Sequence, residues 1–80
     1  MRIATMPPTK IDTPVHVQAR TDDEEIVPIL MIWGKKRYPL SQVRSRQVTG
    51  ERITMSSKEL GEVVLECDYA RKSWRLISIG

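Results

Sequence analysis

Apolar and polar residues alternate along most of this chain after a proline-rich start, and the alternation predicts strands. Val15, Val17 and Ala19 interleave with His16, Gln18 and Arg20, the two-residue period of a half-buried strand. The acidic run Asp22-Asp23-Glu24-Glu25 would repel itself inside a sheet, so it reads as a solvated turn. Residues 26–33 follow as a nearly continuous apolar strand, in which Pro28 has no N–H for the ladder and marks an edge or a bulge. Gly34-Lys35-Lys36 then forms a hairpin turn.

A third strand is expected over residues 38–48, a turn at Thr49-Gly50-Glu51, and a fourth strand over 52–55 with Ile53 and Met55 on one face. Gly61 closes the next connection. Residues 62–69 and 74–79 supply the last two strands, joined across Ala70-Arg71-Lys72-Ser73. Counting by twos from Tyr38 puts Leu40, Gln42, Arg44 and Arg46 on one face. A buried aromatic and exposed arginines cannot share an unbroken strand, so a bulge is expected near residues 41–43.

One segment supports two readings. Leu60, Val63, Val64, Cys67 and Ala70 match a helical stripe, and Ser56-x-x-Glu59 matches a capping box, which together describe a helix over residues 57–72 and an α+β alternative. Against it, Gly61 would fall inside the helix and Val63-Val64 would lose rotamer freedom, whereas Val63, Leu65, Cys67 and Tyr69 alternate cleanly. The strand is preferred, with a single helical turn allowed at residues 56–60.

Composition agrees with the pattern. Val, Ile and Thr number 21 against 12 for Ala, Leu and Met, a bias toward side chains that suit a pleated surface. Eighty residues allow one domain and exclude a cleft between two. The expected architecture is all-β: about six short strands in a small antiparallel barrel or curved sheet of SH3-like or OB-like size. Residues 1–13, with two prolines in tandem, read as a mobile or extended tail, and residues 14–80 as the single β domain.

The chemistry available to this chain is sparse. One histidine, His16, and one cysteine, Cys67, cannot supply a zinc site within one molecule, and Cys67 is expected to be buried as a small hydrophobe. The acidic run lacks the spacing of a calcium loop, and no phosphate loop or dinucleotide fingerprint is present. A non-enzymatic protein without a cofactor or metal is therefore expected. A lone cysteine excludes a disulfide-stapled scaffold, and no signal-peptide stretch or membrane span is read from the sequence. These features point to a reducing cytoplasm and to no membrane partner.

Three stretches carry a resemblance: Ile32-Trp33-Gly34-Lys35-Lys36-Arg37-Tyr38-Pro39-Leu40, then Gly61-Glu62-Val63-Val64-Leu65-Glu66-Cys67-Asp68, and Trp74-Arg75-Leu76. In order and spacing they resemble a family of small uncharacterised bacterial β-domains, some encoded near translesion DNA polymerase components. The likeness covers about the last two-thirds of the chain, which is shorter and less aromatic over residues 44–54 than the family pattern. It implies a β architecture and a link to DNA metabolism, with no assigned reaction.

Charge gives the strongest functional signal. Residues 1–34 hold three basic and five acidic side chains, residues 35–80 ten basic and five acidic, so the positive charge is lopsided. Basic residues in or beside the expected hairpins are placed to meet a phosphate backbone, and Lys35, Lys36, Arg37, Arg44, Arg46 and Arg71 are the candidate contacts. Trp33, Tyr38 and Trp74 offer stacking surfaces but are expected mainly to anchor the core. The expected partner is nucleic acid. The alternative is a protein-binding or self-associating module that uses a sheet edge or an apolar patch around Ile29, Met31 and Ile77.

Overall fold

The computed structural model describes residues 9–47, 51–68 and 70–80. Six antiparallel strands, β1 (Thr9–Asp22), β2 (Glu25–Trp33), β3 (Lys36–Gln47), β4 (Arg52–Ser57), β5 (Gly61–Asp68) and β6 (Ser73–Ile79), close into a barrel in chain order. The described part of residues 57–72 is strand and turn, without helix, so the α+β alternative does not hold. Gly61 opens β5 with φ +80° and Val63, Leu65 and Cys67 bury alternate positions, as a two-residue period demands. In place of a helical turn, the Leu60 N–H donates to Ser57 Oγ at 3.2 Å across a tight β4–β5 connection.

β1 begins at Thr9, upstream of the boundary expected at residue 14: Thr9, Lys10, Thr13, Pro14 and Val15 pair with β6. Pro14 is tolerated in this outer segment. Residues 1–8, Val48, the Thr49-Gly50 turn and Tyr69 lie outside the described residues.

Two strands turn the sheet into a barrel. β1 pairs with β6 up to Val15 and with β2 from His16 onward, while β3 pairs with β2 up to Pro39 and with β4 from Leu40 onward. Long strands that pass from one half-sheet to the other are how orthogonally packed β structures make their corners. Bulges supply the bending. Gln42 is skipped between the Ser41–Ser56 and Val43–Met55 pairs, at the place where the register conflict required it. Ile29 is skipped between Leu30 and Pro28, so the proline sits beside a bulge.

The β1–β2 hairpin outruns its neighbours. Over residues 19–28 its two strands pair only with each other, forming a ribbon that ends in the Asp23-Glu24 turn. Both turn residues have positive φ, 49° and 65°, the pattern of a type I′ hairpin.

The core is a cluster of Met31, Leu40, Ile53, Met55, Val63, Leu65 and Leu76, with Trp33, Tyr38 and Trp74 packed half-buried against it. Both tryptophans thus support the barrel, as expected. Fully burying each such aliphatic side chain contributes about 1.5–3 kcal/mol, and seven of them carry most of the driving force in a chain this short. Met31 is wholly buried and Ile77 half-buried, so the patch expected around Ile29, Met31 and Ile77 does not form. The Ile29 bulge explains the difference: it lets Ile29 turn outward while Met31 keeps the inward face. No helix among the described residues is long and apolar enough to cross a membrane.

Candidate binding surfaces

Chain order assigns the turns to opposite ends of the barrel. The β1–β2 hairpin and the β3–β4 and β5–β6 connections lie at one end, the β2–β3 hairpin and the β4–β5 turn at the other. This separates the six basic residues singled out from sequence. Lys35, Lys36 and Arg37 belong to the β2–β3 hairpin end, whereas Arg46 and Arg71 lie toward the end that carries the acidic Asp22–Glu25 pair.

Most of these cations already have carboxylate partners. Lys36 Nζ is 2.8 Å from Glu59 Oε2, Arg44 Nε 3.9 Å from Glu62, Arg46 Nε 3.8 Å from Glu25 and Arg71 Nε 3.9 Å from Asp68. Lys35 and Arg37 have no carboxylate within ion-pair distance among the described residues. The Lys36, Arg44 and Arg71 pairs are exposed and add little to stability, but each offsets charge that a phosphate would otherwise meet.

At the β2–β3 hairpin, Gly34 takes φ 65° at the first central position of a two-residue turn, with Lys35 at the second and Lys36 opening β3. Lys36 Nζ also lies 5.4 Å from the Tyr38 ring centroid, and Tyr38 meets Trp33 at 6.2 Å with the rings tilted by 43°. The hydrogen bond to Glu59, together with the attraction of Glu59 and Tyr38, holds the Lys36 ammonium above its ordinary 10.5. The Lys36–Glu59 contact brings the β4–β5 turn alongside the hairpin, adding Lys58 to this end. Lys58 is isolated in sequence from the other cations, and only strand order reveals it.

A second surface surrounds Trp74. Two cavities of about 370 and 360 Å³ meet at Trp74 and Lys72 where β1 leaves β6. Their walls include His16 and Arg20 from β1 and, among the described residues, no carboxylate. Arg20 and Lys72 are unpaired among the described residues. The alternation had assigned Arg20 to the polar face of β1, but its position just before the acidic run hid it as a binding residue.

The third surface is the cleft of about 390 Å³ where β2 and β3 diverge. Ile29 and Val43, the exposed large hydrophobics among the described residues at 42% and 38%, line it together with Arg46. Arg46 Nη2 donates to the Ile26 carbonyl at 3.0 Å, so this arginine covers an unpaired strand edge.

Cys67 is buried, and desolvation, reinforced by Glu51 and Asp68, pushes its thiol above the ordinary 9.0, away from the thiolate a nucleophile needs. Among the described residues no three of His, Cys, Asp and Glu gather as a metal-binding set. The chain matches no family model, no curated protein and no solved structure.

Proposed function

We propose that this barrel is a non-enzymatic, nucleic-acid-associated accessory module that meets the phosphate backbone with its β2–β3 hairpin end. The observation that supports it is the Lys36–Glu59 contact: it sets Lys58 beside Lys35, Lys36 and Arg37, four cations against one carboxylate on two adjacent turns. Long basic side chains at turn positions suit backbone contact. Arg44, Arg46 and Arg71 have smaller parts in this reading, because they lie outside these two turns and each meets a carboxylate there. The single buried cysteine suits a reducing cytoplasm.

Fluorescence anisotropy with labelled single- and double-stranded oligonucleotides at low salt tests the reading. Binding that weakens steeply with salt, and falls in a Lys35→Ala/Arg37→Ala/Lys58→Ala variant, is the expected result. No binding tighter than about 1 mM at low salt overturns it.

The exposed Ile29 and Val43 across the β2–β3 cleft favour a second reading, a protein-binding or self-associating module. Light scattering separates the two: a concentration-dependent rise in mass with no oligonucleotide response supports the second.

A further inference from the structure

We propose that the groove on either side of Trp74 holds a single strand of nucleic acid, one unpaired base lying on the indole and neighbouring phosphates on Lys72 and Arg20. The ligand class rests on the reading above, but the residues are different and lie beyond the hairpin end.

The groove exists because β1 exchanges partners after Val15. Below that point Val15 pairs with Trp74; above it β1 turns to β2, leaving the β6-facing side of residues 16–22 without a ladder. The indole is therefore packed on the core by one part and lines both cavities with another. Trp74 is the aromatic shared by the two lobes, with apolar walls from Val15 and Ala19. Such walls suit the flat face of a base rather than a hydrated ion.

Charge selects the occupant. Arg20 and Lys72 reach the groove without a carboxylate partner, in a molecule where six other cations are paired. A groove with cations and no lining acid complements an anion, and an aromatic floor between the cations complements an anion that carries a ring. A duplex keeps its bases stacked inside and cannot offer one to an indole on a concave floor. A free nucleotide could fill one lobe, whereas two lobes meeting at one aromatic suit a chain that continues on both sides. The acidic ribbon end beyond Thr21 would repel phosphate, so the strand should reach no further than Arg20 on that side and continue past Trp74 toward His16 and Pro14 on the other.

The test uses the whole chain carrying Trp33→Phe, which leaves Trp74 as the sole indole, and an oligothymidylate of about 12 nucleotides, within the length range of small single-strand binders. Addition of the strand should quench the Trp74 emission. An Arg20→Gln/Lys72→Gln pair, both exposed and outside the core, should weaken binding about tenfold and lower the salt slope by about 1.4, the value for two single-strand phosphate contacts. The Lys35→Ala/Arg37→Ala/Lys58→Ala variant should keep the quench. If it also keeps full affinity, the hairpin-end reading fails while the groove stands. Strand binding without quenching, quenching indifferent to Arg20→Gln/Lys72→Gln, equal affinity for duplex, or equal affinity for thymidine monophosphate each overturns the groove proposal.

Discussion

Arg75 Nε lies 2.8 Å from Asp12 Oδ1, and its Nη2 reaches the Asp12 carbonyl at 3.3 Å, joining residues 63 positions apart. Asp12 needs the support. It sits in the β1 bulge opposite β6 with φ 53°, a conformation that costs a non-glycine residue about 1–2 kcal/mol. The bulge bends β1 just before it changes partners, so this pair helps to set the path of the strand that forms the groove wall. Asp12→Ala keeps the backbone cost and loses the acceptor, whereas Asp12→Gly loses the acceptor but relieves the backbone. In urea denaturation Asp12→Gly should be the more stable of the two by about 0.5–1 kcal/mol. Equal stability, or the reverse order, would show that the bulge is held by other contacts.

Arg46 predicts an aggregation phenotype. Its hydrogen bond to the Ile26 carbonyl covers a strand edge that Ile29 and Val43 make attractive to another chain. Arg46→Ala should cost about 1–2 kcal/mol and raise the concentration-dependent mass in light scattering above that of the parent protein. A variant that shows the parent's mass at every concentration counts against edge protection.

Gly61 and Gly34 both have positive φ, but their surroundings differ. A Cβ on Gly61 would come within 3.3 Å of the Gly80 carbonyl carbon, while one on Gly34 meets nothing within 4 Å. Gly34→Ala should lower the melting temperature by roughly 4–8 °C, the equivalent of about 1 kcal/mol in a domain of this size. Gly61→Ala should lower it further. Calorimetry of the two variants checks the order.

Cys67 should shape the alkaline limb of stability. Burial holds the folded thiol above 9.0, so the unfolded chain ionises first. The stabilisation is complete below pH 9 and is lost as pH rises through the folded value, and Cys67→Ala should flatten that loss. The raised Lys36 has the same sign, its contribution being complete below 10.5. Chemical denaturation from pH 7 to 10 reads the slope. Native Cys67 should also react with iodoacetamide far more slowly than in denaturant.

What could be read from sequence was local. Periodicity gave the strands, Gly34 the hairpin, and the clash between Tyr38 and Arg44 the bulge now seen at Gln42. Cys67 was placed inside by its alternation with Val63 and Leu65. The start of β1 was hidden, because Thr9 to Pro14 have weak strand character alone and become a strand by pairing with β6. The fate of the charges was hidden for the same reason. Arg46 meets Glu25, and Lys36 meets Glu59, only after strand order is fixed, and no spacing rule joins residues so far apart. The groove at Trp74 follows from the partner exchange of β1, which period-two patterns do not encode.

Thr9 pairs with Ile79, so the start of β1 and the end of β6 are neighbours in the closed barrel. A short peptide could join Ile79 to Thr9 directly, and the chain could instead be opened at Gly34-Lys35, where the turn is solvent-facing and a Cβ meets nothing within 4 Å. A circular permutant of that design would retain every ladder while moving the ends to the basic hairpin, giving a means of tethering or blocking that end without altering a side chain.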